Sequence, residues 1–206
     1  AIEFYKLCKS HGIKPIIGVE AYIAERTRFD KEPGIDAKRY HLTLLAKNEK
    51  GYKNLLKLVS RANLEGYYYK PRMDKELLRE HSEGIICLSG CFGGELSRAL
   101  SAHNDEKARA IIAEYQDIFG KENYFLEIMA HVKMDGAKEV RDKIVALGRE
   151  LNIPLVATHD SHYLDEDDHK AHDTLLAVQT GSDTTDANRL TFGDDNFSLI
   201  DAKKAY

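Results

Sequence analysis

The chain has 206 residues, 43% hydrophobic and 31% charged, with a formal net charge of −4 and a mean hydropathy of −0.47. That supports one core of ordinary domain size, and the longest apolar runs, around Ile16–Ile17 and Ile85–Ile86, fall far short of a bilayer span. A pI near 6.2 excludes a surface that is cationic all over but leaves room for a local basic patch, and three cysteines (Cys8, Cys87, Cys91) are too few and too odd for a disulfide scaffold, which predicts a reducing, cytoplasmic setting.

The chain opens in helical register, with a helix expected over 2–11 and ended by Gly12. Residues 15–23 read as a buried strand, followed by a polar loop over about 25–38 with Pro33-Gly34 as breaker. A second strand is expected at 41–46. Asn48 then caps a helix that buries Leu55, Leu56, Leu58 and Val59 and stops near Gly66. Asp74 caps a short helix ended by Gly84, and Ile85–Ser89 is a third strand. Helices follow over 95–103 and from Asn104 to Gly120. The fourth strand is Tyr124–Ile128, then a helix over 136–151, a fifth strand at 154–158 and a last helix over about 166–179.

Short apolar strands alternating with helices predict a parallel sheet in an α/β fold. There is no internal repeat or low-complexity segment, and the polar stretch from Gly181 reads as a connection. No signal peptide precedes the first helix, the first methionine is Met73, and 201–206 reads as a helix start cut short. Together these predict a piece of a longer protein.

Parallel α/β sheets carry their chemistry at the C-terminal strand ends. The first expected strand carries Glu20, the third leads to Cys91, the fourth to His131 and the fifth to His159-Asp160-Ser161-His162. Asp160 and His162, two apart, lie on one side of an extended segment, where a carboxylate and an imidazole can share a cation. Mixed Glu, Asp, His and Cys donors suit Zn²⁺, Mn²⁺ or Fe. Each feature also has a plainer reading: a lone Asp-x-His arises by chance, and Glu20 could pair with a lysine. Cys87 reads as core, Cys8, His11, His81 and His103 as structural or solvated, and the row Lys50, Lys53, Lys57, Arg61 as a solvated helix face.

The specificity comes from longer segments. Gly12–Tyr22, His41–Asn48, Gly51-Tyr52-x-Asn54-Leu55, Glu65–Arg72, Leu88-Ser89-Gly90-Cys91-x-Gly93-x-Glu95 and Ala157-Thr158-x-Asp160-x-His162-Tyr163-Leu164 resemble, in order, the PHP (polymerase and histidinol phosphatase) domain, in the form carried by the bacterial replicative DNA polymerase III alpha subunit. The resemblance spans essentially all 206 residues. It implies a distorted (βα) barrel of seven strands, here incomplete with about five, whose rim holds up to three divalent ions, Zn²⁺ or Mn²⁺. By the match, Glu20, Cys91, Asp160 and His162 fall on the family's metal positions. His41 and His131 also match family histidines. His41, however, would begin its strand, the wrong end for the site, so either the preceding loop folds over the rim or this histidine is structural. His159 stands where the family has Asn, and either adds a ligand or alters a hydrogen bond.

The resemblance places a His-x-His motif, a Thr-Asp-His-Gly motif and two strands before Ala1. It implies a domain over 1–181 and, over 182–206, a connection toward a polymerase palm. It also predicts unpaired backbone beside the strand at 15–23. The implied activity is metal-dependent phosphoester hydrolysis, including 3′–5′ trimming of DNA, within a DNA-directed DNA polymerase whose own Mg²⁺ site lies elsewhere; the segment alone is expected to be inactive. Implied partners are DNA and other replicase subunits such as a proofreading exonuclease, with no membrane. The alternatives are a non-catalytic scaffold that docks the exonuclease, or a free-standing PHP phosphatase.

Overall fold

The computed structural model describes residues 1–129, 135–193 and 195–201. In chain order the elements are α1 (Ile2–Ser10), β1 (Gly18–Ala24), β2 (Arg39–Ala46), α2 (Glu49–Leu64), β3 (Tyr67–Tyr68), β4 (Lys70–Met73), α3 (Lys75–Glu80) and β5 (Ile85–Leu88). They continue with α4 (Glu95–Ser101), α5 (Asp105–Phe119), β6 (Tyr124–Ile128), α6 (Ala137–Leu151), β7 (Leu155–Ala157) and α7 (His169–Thr180). No helix among the described residues is long and apolar enough to cross a membrane.

The strands form one open sheet of seven, in the order β3-β4-β1-β2-β5-β6-β7. The five expected strands are all present. The hairpin of β3 and β4 is additional to them; its run Tyr67–Met73 is short and interrupted by Lys70 and Pro71, so the apolar pattern does not announce it. β4 pairs in parallel with the end of β1 (Tyr22 with Arg72, Ile23 with Met73), so backbone there is not bare as expected.

The expectation of an all-parallel sheet is corrected. β5, β6 and β7 run parallel, but β2 is antiparallel to both β1 and β5. The connection from β1 to β2 contains no helix. A parallel pair needs a crossover, usually helical, whereas an antiparallel pair does not. This reversal bears directly on the site, because it brings the start of β2 beside the end of β1.

The two faces of the sheet differ. Ala21, Ile23, Leu42, Leu44, Cys87 and Leu126 enter a core shared with Leu55 and Leu58 of α2, Leu96 of α4, Ile111 and Ile112 of α5, and Ile144 of α6. The alternate residues, Glu20 and Tyr22 of β1, His41 and Thr43 of β2, Leu88 of β5 and Glu127 of β6, share the opposite face, since side chains alternate along a strand and register partners point the same way. The helices start where short polar side chains satisfy free N–H groups. Asn48 accepts from Gly51 N, Asp74 from Leu77 N and Asn104 from Lys107 N.

The loop after β1 is held by a buried polar lattice. Arg72, fully buried, donates to the carbonyls of Gly66 (3.1 Å), Asp36 (2.8 Å), Arg28 (3.1 Å) and Asp30 (2.8 Å). Arg28 donates to both oxygens of Asp74, at 2.9 and 3.0 Å, and Asp36 accepts from Arg26 Nε at 3.0 Å and from Glu32 N at 2.8 Å. Buried charges are tolerated when paired and hydrogen-bonded in this way.

Candidate metal centre

Glu20, His41 and Cys91 each offer a donor atom within 4.8 Å of the other two. His41 Nδ1 lies 2.7 Å from Glu20 Oε1 and 3.2 Å from Cys91 Sγ, and Sγ lies 3.9 Å from Glu20 Oε1. The three come from β1, β2 and the turn after β5. His41 therefore belongs to the cluster, and the expectation that it sat at the wrong end is overturned by the antiparallel direction of β2.

The turn over 89–94 wraps the backbone of His41. His41 N donates to Gly93 O at 3.2 Å, and Gly94 N donates to Cys91 O at 2.8 Å. Gly90 makes this approach possible. Its φ is +86°, and a Cβ there would stand 2.4 Å from His41 O. Gly93 N donates to Cys91 Sγ at 3.4 Å, which orients the sulfur.

The electrostatics reflect the crowding of donors. Hydrogen bonds to Cys91 and then to Glu20 push His41 up to about 10, against its burial. The hydrogen bond from His41 holds Glu20 below the usual carboxylate range. The residues fit a cation of the Zn²⁺ kind, since carboxylate, imidazole and thiolate are its customary ligands.

Asp160 and His162 lie outside this trio and pair with each other, Nε2 to Oδ1 at 3.1 Å. They stand near enough that His162 contributes to lowering Glu20. The His162 ring sits among His172, Phe192 and Phe197, at centroid distances of 5.4, 4.6 and 5.8 Å. The loop that carries the pair is anchored by residues far along the chain. His162 N donates to Phe197 O at 2.8 Å, and His159 Nε2 donates to Ser198 O at 2.8 Å. His159 thus spends a nitrogen on the backbone. His131 lies outside the described residues.

Sequence reasoning missed Glu127, 3% exposed in β6. It accepts from Thr43 Oγ1 (3.1 Å), Gly90 N (3.0 Å) and Thr158 Oγ1 (2.7 Å). Burial pushes its carboxyl up, and these three bonds pull it back. The signal in the sequence was an acid inside an otherwise apolar strand, where a charge needs partners. The aromatic surround of His162 was missed as well, because Phe192 and Phe197 fall in the stretch read as a connection.

The chain is 45% identical over 205 residues to a DNA polymerase III subunit alpha from Treponema pallidum, covering 99% of this chain and 17% of that protein. Proteins of the same description from Borreliella burgdorferi (45% over 203 residues, 97% of this chain, 17% of that protein) and Thermus aquaticus (44% over 199 residues, 96% and 16%) are similar to a like degree. The chain thus spans about a sixth of the length of these curated relatives. Residues 1–131, which include Glu20, His41 and Cys91, match the PHP domain, and the chain belongs to that family.

Proposed function

We propose that this chain is the PHP portion of a bacterial replicative DNA polymerase alpha subunit and that Glu20, His41 and Cys91 hold a divalent cation, with Asp160 and His162 serving the same open face. The similarity along 96–99% of the chain to polymerase alpha subunits supports the first part. The observation that carries the second is the convergence of a carboxylate, an imidazole and a sulfur within 4.8 Å.

A bound divalent ion would supply Lewis-acid charge for a phosphate ester and a lowered pKa for a water. The chain's own residues prepare for it. Glu20 brings a carboxylate and Cys91 a sulfur, His41 contributes a nitrogen once its proton leaves, and Asp160 holds Nε2 of His162. The class of substrate this suits is a phosphodiester, with DNA as the substrate and replicase subunits as the partners of the whole protein in a cytoplasmic setting. The site-bearing unit reaches past 181, because Phe197 and Ser198 are buried against the loop that carries Asp160.

A cation with purely structural work is the second reading, favoured by the pairing of Asp160 with His162 rather than with the trio. Zn²⁺ or Mn²⁺ titrated into the purified chain, followed by calorimetry, tests the first requirement. One tightly bound ion, held far more weakly by H41A and C91S, is expected; parent-like binding by both variants defeats the proposed site. The 3′–5′ degradation of labelled single-stranded DNA by the full-length polymerase, with and without C91S, separates the readings. Degradation that depends on Cys91 is expected for a hydrolytic centre, and ion binding without such degradation favours the structural one.

A further inference from the structure

A carboxylate buried in a strand core is costly unless its oxygens are satisfied. Glu127 is 3% exposed, and among the described residues no lysine or arginine pairs with it. Its partners are instead neutral donors from three separate segments: Thr43 of β2, Gly90 of the turn after β5, and Thr158 at the end of β7. Its own N–H donates to Ser89 Oγ at 2.9 Å, adding a second bond to the same turn.

Each partner stands next to a residue of the candidate centre. Thr43 is two residues from His41 on the same face of β2 and is the register partner of Glu20. Gly90 immediately precedes Cys91, and Thr158 is two residues before Asp160. Among the described residues no other side chain bonds all three segments. β1 and β2 are joined by their own ladder, but β7 meets neither of them.

We propose that Glu127 is the positioning residue of the metal centre: from the same face of the sheet it sets the spacing of the strand carrying His41, the turn carrying Cys91 and the loop carrying Asp160. This rests on the reading of Glu20, His41 and Cys91 as cation ligands. Partners behind a ligand fix its orientation, and their removal typically weakens metal binding about 10- to 100-fold; Glu127 bonds the residues that flank the ligands rather than the ligands themselves, so the lower end of that range is expected. The role is geometric rather than one of charge. A glutamine at 127 keeps one oxygen for Gly90 N–H and Thr43 Oγ1, and its amide can donate to Thr158 Oγ1, because a hydroxyl rotates to accept.

The test is Co²⁺ binding to the full chain, read by the thiolate-to-cobalt absorption band, which reports whether Cys91 coordinates, alongside thermal unfolding. E127Q is expected to keep the affinity and the band of the parent. E127A, at a temperature where it is folded, is expected to bind about tenfold more weakly with a diminished band. T43V and T158V remove one bond each and serve where E127A does not fold; each is expected to weaken binding by a smaller factor. Parent-like affinity and band in E127A, or in both threonine variants, would overturn the proposal. A parent chain with no thiolate band would defeat the metal reading itself. Amide hydrogen exchange then reads the spacing role alone: faster exchange in 89–94 and 158–162 together in E127A but not E127Q is expected, and unchanged exchange in either segment overturns it.

Discussion

His41 and Glu20 meet across antiparallel strands although they are not register partners. Glu20 stands opposite Thr43 and His41 opposite Tyr22, yet His41 Nδ1 reaches Glu20 Oε1 at 2.7 Å. The contact is a diagonal one on a single face, within reach of long side chains. Tyr22 packs edge-on to the same imidazole, with ring centroids 5.2 Å apart. The ring therefore leans along the strand toward Glu20 and Cys91.

The first prediction concerns this diagonal. H41A removes the residue that touches both other donors. Zn²⁺ affinity, measured by competition with a chromophoric chelator, is expected to fall roughly a hundredfold, about 3 kcal/mol. H172A, which alters a ring beside His162 but none of the trio, is expected to change it far less. Equal losses in the two variants would show that the trio is not the binding site.

The second concerns the turn that delivers Cys91. At Gly90 a side chain meets both a left-handed backbone and the carbonyl of His41. The conformation costs an L-residue about 1–2 kcal/mol, and backbone cannot yield to the contact. G90A is expected to lower stability by about 2 kcal/mol or more, a fall of about 4–8 °C in melting temperature at this chain length. G12A is the control, because Gly12 has φ +70° but no atom within 4 Å of the place a methyl would take. Its loss is expected to stay near the conformational cost alone.

Much of this was legible in the sequence, and the gaps have physical causes. The five strands and most helix boundaries followed from apolar runs and from the caps Asn48, Asp74 and Asn104. Strand direction did not follow, because apolar alternation is blind to it. The helix-free stretch between β1 and β2 was the clue that His41 starts its strand on the side where β1 ends. Glu20, Cys91, Asp160 and His162 stood out by residue type and by resemblance. Glu127 did not, because its meaning lies in partners at 43, 90 and 158, a set that no local pattern brings together. The same holds for Phe197 and Ser198, whose burial depends on a return of the chain to residues 159–163.

The third prediction tests Arg72. Its guanidinium satisfies four carbonyls, three of them in the loop between β1 and β2. Lysine offers a single charged nitrogen in place of a planar fork. R72K leaves several buried acceptors unpaired, at about 1–3 kcal/mol each. Urea unfolding is expected to show a loss of about 3 kcal/mol or more. A loss below about 1 kcal/mol would mean that the loop is not held by this lattice.

The last prediction is a dependence on pH. The hydrogen bond from Arg26 holds the buried carboxyl of Asp36 down at about 2, from an ordinary value of 3.8. In the unfolded chain Asp36 takes up its proton near 3.8, whereas in the fold it stays ionised until about 2. Between those values the unfolded state binds more protons, so stability must fall as pH falls. The contribution of Asp36 is fully present above pH 4 or so and is lost progressively down to about 2. D36N has no such proton to bind. Urea unfolding of the parent and of D36N at intervals from pH 5 to pH 2 is expected to give curves that differ most at pH 5 and converge toward pH 2. A gap that stays constant across the range would show that Asp36 contributes through its hydrogen bonds alone and not through its charge.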